Sequence, residues 1–395
     1  MTHALRDRCA IVGVGHTAYT RGTDKSTLEL HLEASLAALA DAGLGPDDVD
    51  GVMPNELAGT IAEDFVLNLG IPDLRFSSTL RTGGASFVSA LQSACLAVAG
   101  GVARCVLLAA GRRGYSAQRV SKTSEGAIPP LPVMRQIDEF ERPFGNTVAV
   151  QWFAQAARRH MHEFGTKSEH FGHVAVACRK HANRNPNALM CSRPMTLADH
   201  QASPMIADPF RLLDCCLESD GACAVVVTSA ARARDARRPP VRILASAQGA
   251  VRGYGWGPFA NVNMDDDAYA SGGAAGVAHR LWARAGLGPT DVDVAQIYDH
   301  FTGLALLALE DFGFCARGEG CPLAASGALA WPDGPLPTNT HGGSLSEAYI
   351  HGLNHVVEGV RQLRGESTCQ VADAAVCLVT SATGVPTSAL LLGRP

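Results

Sequence analysis

The chain has 395 residues, 47% hydrophobic and 18% charged, and carries a net charge of −5. That length and apolar share suit a well-buried protein with two core-bearing units or one large layered unit, and exclude a disordered or fibrous chain. The negative balance provides no field to gather phosphate backbones, so nucleic acid is not an expected partner. The stretch from Met1 to Cys9 lacks the apolar segment of a secretory signal, and no apolar run reaches the length of a membrane span, so a cytoplasmic location is expected. The twelve cysteines show no Cys-x-x-Cys spacing, which suits reduced, buried, small apolar residues and no metal site.

The apolar run Cys9 to Val14 predicts a buried strand. Gly13-Val-Gly15 after it lacks the third glycine of a dinucleotide loop, since Ala18 stands there. Leu28, Leu32, Leu36 and Leu39 predict a helix over 26–42, punctuated by Thr27 and Gly43. Next comes Ala42-Gly-Leu-Gly-Pro-Asp-Asp-Val-Asp50, which returns as Ala285-Gly-Leu-Gly-Pro-Thr-Asp-Val-Asp293 with eight of nine positions identical. Each copy follows a helical stretch and leads into a short apolar strand, Gly51–Met53 or Val294–Ile297, so the chain reads as duplicated.

A second correspondence keeps the same order. Arg81-Thr-Gly-Gly84 opens an alanine-rich helix from about Ser89 to Ala99, and Thr340-His-Gly-Gly343 is expected to open one from about Glu347 to Leu363. Apolar strands follow at 104–111 and 374–380. Two βαβ-rich halves, 1–250 and 251–395, therefore predict a pseudo-twofold α/β protein with its site where two helix N-termini face each other. An insert over about 112–214 interrupts the first half with prolines at 129, 130, 132, 143, 186, 194, 204 and 209. It holds a helical stretch from Val148 to Glu163 and the basic patch Arg179, Lys180 and Arg184, and is expected to be a substrate-shaping lid. The strand over 221–228 closes that half.

Two stretches concentrate acid-base groups. Asn339 to Gly352 holds His341, Glu347, Tyr349 and His351 around Gly342-Gly343, and Ile297 to Phe301 holds Tyr298, Asp299 and His300. His351 and His355 have a ligand-like i, i+4 spacing, but no third ligand accompanies them, so no metal is expected.

Ser203-Pro-Met-Ile-Ala-Asp-Pro209, Ser219-Asp-Gly-Ala222, Tyr298-Asp-His-Phe301 and Asn339-Thr-His-Gly-Gly343 resemble motifs of the thiolase superfamily, in its sterol carrier protein X-type and bacterial lipid-transfer branch. They span nearly the whole chain in family order. The resemblance implies a thiolase fold, two duplicated halves in an αβαβα layered sandwich with an inserted loop domain. Against the family pattern, Gly84 stands where the nucleophilic cysteine would be, Tyr349 at the histidine of the Gly-His motif, and Tyr298 at the first position of the Asn-Glu-Ala-Phe or His-Asp-Cys-Phe motif. Ser381 falls about where the second cysteine belongs. The tyrosine pattern resembles the steroid side-chain aldolases of the superfamily.

That resemblance implies a retro-aldol cleavage of a bulky, steroid β-hydroxyacyl-CoA to a ketone plus propionyl- or acetyl-CoA, a carbon–carbon lyase reaction with no cofactor. Such a step needs no nucleophile, only a base for the β-hydroxyl proton, donors for the enolate oxygen and an acid for its carbon. Tyr298 and Tyr349 are the expected acid-base pair, with the base unassigned. Asp299, His300, His341 and His351 are candidate tuners of the phenols. His341 either binds the thioester oxygen or holds its turn, and Asp299 either orients its neighbours or charges a helix start. The amides of Gly342 and Gly343 are expected near the thioester oxygen, while Gly84, His300, His351 and Ser381 line the substrate. Arg179, Lys180 and Arg184 either meet CoA phosphates or form a solvated face.

Loss of the thiol also fits a non-catalytic acyl-CoA- or lipid-binding protein. An acyltransferase using Cys95 or Cys377 is opposed by the placement of Cys377 inside an apolar strand and of Cys95 past its helix start. The resemblance further implies a homodimer and a heteromeric complex with a small OB-fold, zinc-ribbon acyl-CoA-associated protein.

Overall fold

In chain order, the computed structural model contains β1 (Cys9–His16), α1 (Thr27–Ala42), β2 (Gly51–Met53), α2 (Ala62–Leu69), β3 (Phe76–Ser77), α3 (Ser86–Ala99), β4 (Cys105–Arg113), α4 (Arg135–Phe140), α5 (Ala149–Phe164), α6 (Ser168–Ala182), α7 (Leu197–Ala202), β5 (Met205–Ala207) and β6 (Phe210–Arg211). There follow β7 (Asp220–Ser229), β8 (Val241–Gly249), α8 (Ala275–Ala285), β9 (Val294–Gln296), α9 (Thr302–Asp311), α10 (Gly320–Ala325), α11 (Gly343–Ser346), α12 (Leu353–Arg364), β10 (Val376–Ser381) and β11 (Thr387–Gly393). The structure describes residues 5–54, 59–80, 82–117, 119, 135–250, 271, 273–381 and 387–394. Arg81, the prolines at 129, 130 and 132, and the end of the Thr380 to Gly384 motif lie outside them.

Strand alternation sorts the apolar residues into separate cores. Along β4, Val106, Leu108 and Ala110 enter the central cluster, whereas Cys105, Leu107 and Ala109 enter an outer one. β7 divides in the same way, with Cys223, Val225 and Val227 inward and Ala222, Ala224 and Val226 outward. In the second half, Leu390 and Leu392 of β11 face the centre, and Ala389 and Leu391 face a third cluster with α8 and α9. Between the two sheet faces lie α3, apolar on several sides because both flanks are buried, and α12, whose buried surface also carries Asn354, His355, Glu358 and Gln362. The result is the expected five-layered αβαβα sandwich.

The strand order is β3-β2-β4-β7-β1-β8-β11-β10-β9. β2, β4, β7 and β1 thus mirror β9, β10, β11 and β8 about the centre, where β1 and β8 meet through only Ala10↔Arg242 and Ile11↔Val241. This is the duplication read from the nine-residue repeat, whose copies form matching 3₁₀ turns at Pro46–Asp48 and Pro289–Asp291. The second repeat takes in β8, ahead of residue 251. The insert supplies α4 to α7 and the β5–β6 hairpin, and α5 and α6 pack on α9 through Ala154, Ala157, Phe171 and Leu304.

Local chemistry fixes the elements. Ser26, rather than Thr27, caps α1: its hydroxyl accepts from the amide of Glu29 while the Glu29 carboxylate accepts from the amide of Ser26. Such a cap contributes about 1 kcal/mol. Gly13 and Gly15 are packing residues: a methyl group on either would strike the α1 backbone at Ala38 or Ala34. The helix expected from about Glu347 begins instead at Leu353. His351 and Gly352 hold φ values of 50° and 84°, which no α-helix accommodates, and the side-chain amide of Asn354 donates to the carbonyl of Ala348. Residues 347–352 are therefore an irregular connection, and it carries Tyr349.

Candidate active site

The backbone around Tyr298 is pinned from both sides. Asn339, at φ 55°, accepts from the amide of Ile297 at 2.8 Å through Oδ1 and donates to its carbonyl at 2.8 Å through Nδ2. The amide of Tyr298 donates to Thr380 Oγ1 at 2.9 Å. Tyr349 is anchored by Ser219, whose hydroxyl accepts from the Tyr349 amide at 2.9 Å and donates to its carbonyl at 3.3 Å. These anchors place the two phenol oxygens 2.8 Å apart, in hydrogen-bond contact.

Tyr298 is buried and Tyr349 half-buried. Burial pushes the Tyr298 phenol well above its ordinary value, and the neighbouring Tyr349 adds to the rise. Burial also pushes Tyr349 up to about 12, with the Cys216 thiol adding to the rise while the Arg112 guanidinium and the Tyr298 hydrogen bond oppose it.

Both helix N-termini of the central layer close on the Tyr298 ring. A Cβ on Gly84, just before α3, would lie 2.7 Å from Tyr298 Oη and 3.0 Å from its Cζ. One on Gly352, just before α12, would lie 3.0 Å from Tyr298 Cδ2 and 3.1 Å from Ser381 Oγ. Ser381 faces the same layer and donates to the Gly84 carbonyl. The facing N-termini expected from the duplication are thus present, with Gly352 in place of the Gly342-Gly343 pair.

His300 lies beside the phenols, its ring 4.9 Å from that of Tyr298 and edge-on to Phe153 at 4.6 Å. It is 7% exposed, and neither ring nitrogen has a hydrogen-bond partner among the described residues. Burial drives its imidazole down to about 3, so it is neutral at physiological pH. The His351 ring stands 5.0 Å from that of Tyr349, and burial with the nearby Arg112 charge takes it to about 3.

Asp299 and His341 do not touch the phenol pair. Asp299 accepts from the amides of Ser344 at 2.7 Å and Leu345 at 3.3 Å and pairs with His355 Nε2 at 3.2 Å. Burial alone would raise its carboxyl, but His355 and the two amides outweigh it and hold the group below the ordinary range. With Nε2–H of His355 directed at Asp299, its Nδ1 accepts from His341 Nε2 at 3.0 Å. Glu347 Oε2 lies 3.6 Å from His341, and burial pushes that carboxyl up to about 8. His341 therefore faces His355, rather than a thioester or its own turn. His355 reaches the site only through its ring, 6.1 Å from that of Tyr298.

Several expected roles change. The Gly342 amide is spent on Asn339 O at 2.8 Å, and a Cβ on Gly343 would lie 2.0 Å from Asp299 Oδ2. The paired glycines thus make room for α6 and Asp299, and the Gly342 amide is already engaged within its own turn. Arg179 is buried, donating to Ser346 Oγ at 2.9 Å and Arg193 O at 3.0 Å, so it is no phosphate ligand, and Arg184 stacks over Trp331. Cys95 and Cys377 are buried, with their thiols pushed well above the ordinary range. The residues that sequence reasoning passed over are Arg112, whose guanidinium sits 5.1 Å over the Tyr349 ring, and Cys216, whose charge would be felt by both phenols.

Residues 260–392 match the family described as Thiolase C-terminal domain-like. A 17-hydroxy-3-oxo-4-pregnene-20-carboxyl-CoA lyase of Mycobacterium tuberculosis is 44% identical over 389 residues, covering 98% of this chain and 100% of that protein. The chain belongs to the thiolase superfamily, in its steroid side-chain-cleaving aldolase branch. A steroid side-chain-cleaving aldolase of Thermomonospora curvata is likewise 44% identical, over 98% of both chains. The solved Ltp2–ChsH2(DUF35) aldolase superposes with a TM-score of 0.92 at 42% identity, covering 99% of each chain. Geometry closes position 84 to a larger side chain here, because the Tyr298 phenol fills the space a side chain on Gly84 would need.

Proposed function

We propose that this aldolase cleaves a steroid β-hydroxyacyl-CoA between its α- and β-carbons, giving a steroid ketone and a short acyl-CoA. A 17-hydroxy-20-carboxyl-CoA side chain, as in the name of the mycobacterial relative, would yield a 17-ketone and propionyl-CoA. The phenol pair at 2.8 Å, standing where a thiolase would keep its thiol, is the observation that carries this reading. Tyr298 and Tyr349 form the acid-base unit. One phenolate takes the β-hydroxyl proton, the carbon–carbon bond electrons pass into the thioester as an enolate, and a phenol returns a proton to its carbon. Neutral His300, with both nitrogens unpartnered, is the donor for the enolate oxygen, because an imidazole held neutral donates without first losing a charge. Gly84, Gly352, Ser381 and His351 shape the cavity around the pair, and Asp299, His355 and His341 hold the connection that carries Tyr349.

No cofactor enters this chemistry. The lid over about 112–214 gives the steroid pocket its shape. The protein acts in the cytoplasm, as a homodimer joined to a small OB-fold, zinc-ribbon protein; the likeness to the Ltp2–ChsH2(DUF35) aldolase supports a DUF35 partner. No helix of the described residues is long and apolar enough to cross a membrane. The test is incubation with a 17-hydroxy steroid acyl-CoA, with and without that partner, and mass spectrometry of the products. Release of propionyl-CoA supports the reading, and verified binding without cleavage in the presence of the partner counts against it.

A further inference from the structure

Arg112 closes β4, paired with Gly221 of β7. Because Val106, Leu108 and Ala110 of the same strand face the central layer, so does Arg112, and the strand delivers its guanidinium over the face of Tyr349 at 5.1 Å. Gly114 leaves the room: a Cβ there would lie 2.6 Å from Arg112 Nε. Among the described residues this half-buried guanidinium has no carboxylate within ion-pair distance and makes no hydrogen bond, whereas Arg119 pairs with Glu218 and Arg364 with Asp41. A cation left without a counter-ion against an aromatic face stabilises negative charge on that ring.

We propose that Arg112 makes Tyr349 the general base of the pair, holding its phenolate while Tyr298 remains the protonated partner. This rests on the aldolase reading and assigns the direction of proton flow within it. The phenol–phenol contact has one hydrogen between two oxygens, and the environment decides which oxygen keeps it. Tyr298 is enclosed by Gly84, Gly352 and Ala85, with no cation in contact, so charge there is opposed by burial. Tyr349 has solvent on one side and Arg112 on its face. The other titratable groups facing it are Cys216, from the segment before β7, and His351 on its own connection; burial keeps both neutral. In the reaction, ionised Tyr349 accepts the β-hydroxyl proton as the carbon–carbon bond breaks, and Tyr298 donates its hydrogen bond to that oxygen beforehand.

The test compares Arg112→Gln and Arg112→Lys in the protein with its partner, with Tyr349 also replaced by 3,5-difluorotyrosine. Arg112→Gln is expected to displace the pH dependence of kcat about one unit to higher pH, a loss of about tenfold at neutral pH, with KM little changed. Arg112→Lys should recover part of that loss, and the more acidic difluorotyrosine at 349 should recover it in Arg112→Gln. A rise in KM with the kcat profile unmoved, or absence of rescue by difluorotyrosine, overturns the assignment. Tyrosinate absorbance during alkaline titration reads the same point without turnover: Tyr349, identified by its loss in Tyr349→Phe, must ionise at higher pH in Arg112→Gln. If the wild-type protein cleaves nothing, the aldolase reading fails while this titration still decides for or against the Arg112–Tyr349 pairing.

Discussion

Gly84 and Tyr298 exclude one another's enlargement: a single methyl group on Gly84 would sit 2.7 Å from the Tyr298 phenol oxygen. Any side chain at 84 and this phenol compete for the same volume, so Gly84→Cys is expected to displace the phenol rather than add a thiol beside it. Gly84→Ala is predicted to push the Tyr298 ring from Tyr349, lowering turnover by about a hundredfold. Overpacking should also cost about 1–3 kcal/mol. Kinetics and urea denaturation on the one variant measure both effects.

Cys216 is the thiol that borders the phenol pair, and burial pushes it up to about 12, far from a working thiolate. Cys216→Ala should retain turnover within about threefold, as expected of a residue that makes no covalent bond. A bulky alkylating agent on the wild-type thiol would nevertheless block the site by occupying it. Loss of activity in Cys216→Ala would return an acyl-enzyme route to consideration.

A base whose phenol is pushed up to about 12 is almost wholly protonated at neutral pH. The active fraction then grows with pH, and log kcat/KM should rise with unit slope from about pH 7 to pH 10. A plateau below pH 8 in a pH–rate series would show that the base is some other group.

Glu347 gives a separate signature in stability. Its carboxyl ionises at about 8 in the folded protein against an ordinary 4.5, so between those values the folded state binds more protons than the unfolded one. Its contribution is complete below pH 4.5 and is lost as pH rises through about 8. Glu347→Gln should therefore lose less stability than wild type between about pH 5 and pH 9 in urea denaturation.

Asp299 holds His355 and two amides of α11 in a buried setting. Asp299→Ala is predicted to cost about 3–5 kcal/mol, because it leaves these donors without an acceptor. The depressed carboxyl also means that the wild-type contribution is present above the ordinary value of 3.8 and fades as pH falls below it. Denaturation curves of wild type and Asp299→Ala at pH 7, and of both again at about pH 2, would check both.

Much of this was legible in the chain. The repeat at Ala42 and Ala285 announced the duplication because each copy forms the same turn before the same strand. Tyr298 and Tyr349 could be paired because their motifs stood in family order. What the sequence hid were relationships set by packing. His341 looked like a site imidazole from its place beside two glycines, but its partner is His355, fourteen residues on. The end of the second helix pattern was periodic enough to suggest a start near Glu347, yet His351 and Gly352 need left-handed backbone, which periodicity does not report. Arg112 could have been found by extending the alternation of β4 beyond Ala110, but its target lies more than two hundred residues away in the chain.

The most direct measurement is product analysis with a 17-hydroxy steroid acyl-CoA on the wild-type protein, Tyr349→Phe and the double variant Tyr298→Phe/Tyr349→Phe, each with the small partner present. Propionyl-CoA and the steroid ketone are expected from wild type, with turnover reduced by about a hundredfold or more in both variants while substrate still binds. Undiminished propionyl-CoA release from the double variant would contradict the acid-base role of the two tyrosines.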